Sequence, residues 1–382
     1  MAGRQIPVRP ELIRWARERA GFKLEELADK YKKLADWENP DSPASPTYAQ
    51  LESMSVDFKV PVAVFFFPAP PDVPTVEQTF RTIPEAELRH LGHRVRLLLR
   101  KAKSFQMSLA ELSGGKNPAP RLITRDLGFS LDTPPDQMAT AVREYLNVSL
   151  EEQSGWSNDE EALKRWRAAF HDVGVYVFKD AFRSDEFAGF CLTDPEFPII
   201  YVNNTTRPFA RQVFTLFHEL AHLLFHTSGI DFRSKEPPTT SKDAQRIEVL
   251  CNRFAGALLV PEQAFQMLMR GREPTYDTAR EFAAYFNVST LVIYRRFLEA
   301  GLIDVLAYQA VHAASQKKPD KDGDGGDHYN NQLAYLGREY IGLALRAYHQ
   351  QRISEGQLAD YLNLPAKQLR TLEERYLRGA AA

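Results

Sequence analysis

Apolar residues recur at spacings of three and four through most of this chain, interrupted near its middle by three short runs of a different kind. Leu12, Ile13, Ala16 and Ala20 make one stripe and Leu24, Leu27, Ala28 and Tyr31 another, with Gly21 between them. Residues 10–20 and 24–33 are therefore predicted as two short helices, the arrangement of a helix-turn-helix. The next piece, Leu34-Ala35-Asp36-Trp37-Glu38, follows almost without a turn and breaks ahead of Pro40, Pro43 and Pro46. A groove-reading helix needs several exposed polar residues at its N-terminal end, and this piece has room for hardly one. A protein-interaction or packing module is the expectation here, ahead of DNA reading. Thr47 to Val56 continues as a helix, and Val60 to Phe67 reads as an apolar strand or turn with its aromatics in the core. Pro68 to Pro74 is a stiff linker.

Helical spacing resumes over 83–112, 133–146 and 160–170; the basic run Arg94, Arg96, Arg100, Lys101 and Lys103 in the first of these reads as a solvated face. The strand signals follow: Val173 to Phe178, Phe187 to Leu192 and Pro198 to Val202. Three strands and then a helix make an α+β unit. The third strand runs into Asn203 and Asn204, candidates for substrate binding if that strand lies at a sheet edge, where its backbone could pair with an extended peptide. An ordinary inner strand is the other reading. Beyond a polar loop over 227–242, helices are predicted over 243–259, 276–286 and 289–298. The last two are expected to pack on the central domain rather than to form a second helix-turn-helix. Residues 316–327 look like a linker. Asp320, Asp322, Asp324 and Gly325 open like a calcium loop, but Asn331 stands where a bidentate Glu is needed. Two or three amphipathic helices are expected after it. The implied domains are 1–71, 72–157, 158–312, 313–327 and 328–382.

Composition narrows the class without naming it. A chain of 382 residues, 26% charged and 44% hydrophobic, suits a soluble protein of two or three domains. Its formal charge of -2 argues against a broad nucleic-acid-coating surface. Cys191 and Cys251 form no C-x-x-C pair, which excludes a thiolate zinc cluster and suggests a reducing compartment. No signal-length apolar run follows Met1, and Val60 to Phe67 is too short to span a bilayer, so a cytoplasmic protein without a membrane partner is expected.

The chemistry concentrates in Phe217-His218-Glu219-Leu220-Ala221-His222-Leu223-Leu224-Phe225-His226. In a helix His218 and His222 share one face a turn apart, and two imidazoles so placed can hold one Zn2+ with Glu219 beside its open side. His226 cannot join them, because His218 and His226 lie about 12 Å apart along the axis at 1.5 Å per residue. It is expected beside the ligands, orienting one of them, or in the core. The longer H-E-x-x-H-x-x-G-x-x-H pattern fails at Phe225 and Ser228. A carboxylate on the following helix, Glu248, is the candidate third ligand, with Asn252 one turn further on supplying a hydrogen bond that orients the ligands. Two His and one Glu leave a fourth position for water, which points to hydrolysis with Glu219 as general base. Tyr201, Tyr276, Tyr285 and His328 are candidates by residue type for a second oxyanion donor.

These residues resemble the ImmA/IrrE metallopeptidases. The likeness rests on Phe214 to His222 with His226, on Pro198 to Asn203 before them, and on Glu248 to Ala255 leading to Leu258-Leu259-Val260-Pro261. It extends to the front through Trp37-Glu38, Pro46-Thr47, Gln50-Leu51 and Pro61 to Phe66, which look like the degenerate repressor-type helix-turn-helix often fused to such peptidases. The resemblance implies a mostly helical multidomain chain with a minimal zincin-like core of about three strands plus the H-E-x-x-H helix. It also implies a gluzincin-like regulatory endopeptidase that cuts a helix-turn-helix repressor or antitoxin in a stress, prophage or toxin-antitoxin setting. Two other readings stay open: a DNA-binding regulator or antitoxin-like module with a sensory or vestigial zinc site, and a hydrolytic toxin restrained by its N-terminal module.

Overall fold

The computed structural model describes residues 4–71, 93–183, 187–205, 208–226, 230–232, 242–315 and 327–378. The expectations for 72–92 and 316–326 lie outside these residues, as does most of the 227–242 loop. The chain divides into two compact units, Met1–Lys101 and Ala102–Ala382.

In the first unit the stripe Leu12, Ile13, Ala16 and Ala20 is buried on the helix Pro10–Ala20, which stops at Gly21 in a left-handed conformation (φ 82). Where a second helix is expected over 24–33, the only regular piece is a 3-10 turn, Glu25–Leu27. Leu27 and Tyr31 still face inward, and the Tyr31 hydroxyl reaches Asp57 at 2.6 Å on the helix Tyr48–Phe58. Two buried residues four apart are served by an irregular turn as well as by a helix, so the spacing could not tell them apart. The short turn Leu34–Trp37 sends Leu34 and Trp37 into the core, and Glu38 follows them to grip Arg17 through two oxygens at 2.7 and 2.8 Å. Val62–Phe66 is a 3-10 helix rather than a strand. Of its aromatic run Phe65 is buried, whereas Phe66 and Phe67 stay 50% and 42% exposed, against the expectation that all would be core.

The second unit is built on a small mixed sheet: β1 (Tyr176–Asp180), β2 (Phe187–Leu192), β3 (Ile199–Asn203) and β4 (Ile230–Phe232), in the order β1-β3-β2-β4. β1 and β3 run parallel, and β2 is antiparallel to both β3 and β4. The sequence predicts the first three strands, with β2 in place, β3 offset by one residue and β1 at Tyr176–Asp180 rather than Val173 to Phe178. The fourth arises inside what reads as a polar loop, too short to carry a pattern of its own.

Every residue of β1 to β3 is buried because both faces of the sheet are covered. Val177, Ile200 and Cys191 sit in register on the face packed against the helices Asp159–Asp172 and Phe209–Leu224. Phe178, Tyr201 and Phe190 make the matching row on the other face. There Phe105 stacks on Phe178 at 4.4 Å, and Tyr340 meets Phe178 edge-on at 5.2 Å. Those two rings come from the helices His93–Leu112 and Arg338–His349. The C-terminal region holds four helices where two or three are expected: His328–Leu336, Arg338–His349, Glu355–Leu362 and Ala366–Arg378. Among the described residues no helix is long and apolar enough to cross a membrane.

Candidate metal centre

The helix Phe209–Leu224 contains neither Gly nor Pro, and from Thr215 to Leu224 every side chain is buried. Its start lacks a side-chain cap from Pro208, but the Asp159 carboxylate accepts the Ala210 N–H at 3.1 Å. Its rotation is fixed by Phe217, which meets Trp166 at 4.8 Å and Phe170 at 5.2 Å, both nearly perpendicular. A residue adjacent to Phe217 must then point about 100° away round the axis, and His218 and His222 share that direction one turn apart.

They face Glu248 on the helix Lys242–Leu259. His218 Nε2 lies 3.3 Å from Glu248 Oε2, His222 Nε2 lies 3.1 Å from Oε1, and the two nitrogens are 3.2 Å apart. Donors about 2.0–2.1 Å from a tetrahedral zinc ion stand about 3.3 Å from one another, so the three separations are those of one ion's ligand shell. His218, His222 and Glu248 are also the one His/Cys/Asp/Glu group among the described residues whose donor atoms converge in this way. Burial alone pushes the Glu248 carboxyl up, but the His222 and His218 imidazoles outweigh it and hold it well below the usual carboxylate range. The donor set fits zinc and leaves room for a fourth ligand.

Glu219 is fully buried, with its carboxylate beside β2. A Cβ on Gly189 would stand 3.6 Å from Glu219 Oε1, 2.8 Å from the Thr215 methyl and 2.9 Å from the Tyr201 carbonyl oxygen. Only a residue without a side chain lets strand and helix approach this closely. Gly189 is the site residue that the sequence reading passes over, although a lone glycine inside Phe187 to Leu192 was a visible signal.

The other candidates are placed elsewhere or bound differently. His226 is neither core nor beside the ligands: it is exposed in a left-handed turn (φ 54), with Nε2 against Gly128. Asn252 is exposed and donates to the backbone oxygen of Glu248 at 2.9 Å, so it supports the helix backbone rather than the carboxylate. β3 is an inner strand, which removes the edge on which the peptide-pairing role of Asn203 and Asn204 depended. Asn203 is buried; its Nδ2 donates to Phe187 O at 2.6 Å and its Oδ1 accepts the Thr205 N–H at 2.8 Å. Asn204 donates to the Tyr335 hydroxyl and accepts from Gln212. Both asparagines thus tie strand ends to their surroundings. Asn203→Ala is expected to cost about 1–3 kcal/mol by orphaning these partners, read by denaturant unfolding. Unchanged stability would count against this bracing role. Tyr201 lies on the sheet face opposite Glu219, which removes it as an oxyanion donor; the His328 side chain lies outside those described.

Residues 170–298 match the Peptidase_M78 model, described as an IrrE N-terminal-like domain. Two curated relatives align with the same chain. The radiation response metalloprotease IrrE of Deinococcus deserti is 32% identical over 133 residues, which is 35% of this chain and 46% of the relative. That of Deinococcus radiodurans is 34% identical over 97 residues, 25% of this chain and 29% of the relative. The alignments therefore span under half of each relative. They make residues 170–298 similar to the IrrE N-terminal-like peptidase domain, which supports a metallopeptidase here.

Proposed function

We propose that this chain is a zinc-dependent endopeptidase that cuts one or a few protein partners, among which a helix-turn-helix repressor or antitoxin is the substrate class that the family resemblance favours. The observation that carries the reading is the triangle of donors from His218, His222 and Glu248, at 3.1 to 3.3 Å from one another. A zinc ion held there supplies Lewis acidity, activating water and polarising a carbonyl. Glu219 takes the proton of the attacking water and returns it to the leaving nitrogen. Its burial beside Gly189 keeps the carboxylate in a low-dielectric setting, where a proton moves between fixed groups with little solvent rearrangement. A regulatory role in a stress, prophage or toxin-antitoxin setting, in the cytoplasm, completes the proposal. In it the first unit selects the partner.

Metal analysis of the purified full chain tests the site. Wild type is expected to hold one zinc per chain and Glu248→Ala to lose most of it, since removing one of three protein ligands lowers affinity by well over tenfold. Undiminished zinc in the variant removes Glu248 from the ligand set. Incubation with purified helix-turn-helix repressors from the same genome, taken first from neighbouring reading frames, tests the substrate. Chelator-sensitive cleavage at a defined bond is expected, and an uncut partner overturns that choice of substrate.

A further inference from the structure

One kind of turn occurs three times in the second unit: Tyr145-Leu146-Asn147-Val148-Ser149, Tyr285-Phe286-Asn287-Val288-Ser289 and Tyr361-Leu362-Asn363-Leu364-Pro365. Each time the asparagine ends a helix in a left-handed conformation (φ 53, 52 and 50), and the next helix starts three residues on. Two helices joined by so short a turn are the frame of a helix-turn-helix. In the first two copies the second helix is taken up by the core. Gln153, on Leu150–Gly155, is fully buried and donates to the carbonyl oxygens of Leu259 and Phe286 at 3.0 and 2.6 Å. Thr290–Glu299 buries Val292, Ile293, Tyr294, Arg296 and Phe297.

The third copy leaves its second helix outside. Of the 13 residues of Ala366–Arg378, only Leu369 and Leu372 are buried. Tyr376 continues their face, with the Arg338 guanidinium 4.5 Å from its ring and donating to its carbonyl oxygen at 2.6 Å. On the other side of the first two turns Lys367 and Arg370 are exposed, with Gln368 and Thr371 half-buried beside them. Several polar residues open at the N-terminal end are what groove reading needs and what Leu34–Trp37 lacks. The charge there is available. Among the described residues no carboxylate pairs with Lys367, and Arg370 meets Glu374 alone, at 3.3 Å, with the two side chains 90% and 52% exposed. Solvent screens such a contact, so an anionic partner displaces it at little cost. From Ala366 to Tyr376 the helix exposes no large apolar side chain of the kind that anchors a protein partner.

We propose that Ala366–Arg378 is the recognition helix of a C-terminal DNA-binding module, lying in the major groove of duplex DNA with Lys367, Gln368, Arg370 and Thr371 toward bases and phosphates. Arginine and lysine suit the O6 and N7 of guanine, and glutamine suits adenine. Arg338–His349 and Glu355–Leu362 complete the three-helix frame. The chain's net charge of -2 is no obstacle, because one helix reads its site with three or four side chains.

The test takes the full chain through selection against a pool of random duplex DNA, then measures the enriched duplex by fluorescence anisotropy at about 50 and about 200 mM salt. The enriched duplex is expected to bind about 10³-fold or more tighter than a scrambled one, and more weakly at the higher salt. Lys367→Glu and Arg370→Ala are each expected to weaken it about tenfold or more with Tm unchanged, since both side chains are exposed. Absence of saturable binding at micromolar duplex in the lower salt overturns the proposal. So does equal affinity for the scrambled duplex, preference for single-stranded RNA, or binding unmoved in both variants, which would assign the DNA to another part of the chain.

Discussion

Glu219→Gln is expected to keep its zinc and lose cleavage by about 10²-fold or more, the usual reach of a positioned general base. Gln matches Glu in volume, so a fully buried site between helix and β2 accommodates it without a cavity. The amide cannot accept the water's proton, and His218, His222 and Glu248 remain as donors. Zinc content measured beside single-turnover cleavage separates the two effects. A variant that holds metal and cuts at the wild-type rate removes Glu219 as the base, whereas one that loses metal assigns it a different part.

The second large effect is expected at a residue outside the ligand set. Trp166 is fully buried, perpendicular to Phe217 at 4.8 Å and to Trp156 at 5.1 Å, with the Arg143 guanidinium 5.7 Å from its ring. Trp166→Ala is expected to cost about 3–5 kcal/mol through lost burial and the cavity left behind. At about 2–4 °C per kcal/mol for a unit of this size, that lowers Tm by roughly 10 °C. Because Phe217 directly precedes His218, the loosened contact also frees the metal-site helix to rotate, and zinc affinity falls with stability. Denaturant unfolding checks the first part and zinc competition the second. A loss below about 1 kcal/mol would mean that the core closes over the gap and that Trp166 does not set the helix.

The metal-site helix was legible in the sequence because its chemistry is local. His218 and His222 are four residues apart, and the helical period alone puts them on one face. Glu248 was reachable as well, being a carboxylate on the next predicted helix. Strand order was not, since Phe187 to Leu192 and Pro198 to Val202 carry no mark of which lies inside, and the β1-β3-β2-β4 arrangement decides against an edge at Asn203. Polar residues beside a site look alike in sequence whether they meet a substrate or a backbone carbonyl. Asn203 and Asn252 proved to meet carbonyls. The turn Glu25–Leu27 and the exposed Phe66 and Phe67 show the same limit: spacing records which residues tend inward, and packing by the rest of the chain settles which of them do.

Gly189 has a consequence for how such a sequence can drift. Every other amino acid brings a Cβ into the gap between the Thr215 methyl and the Tyr201 carbonyl, and one of those two obstacles is main chain that no rotamer change can move. A single-nucleotide step away from glycine therefore has no neutral destination here. A lineage could reach another residue at 189 only by first thinning the helix at Thr215 and shifting the register between β2 and β3, a coordinated change rather than a step.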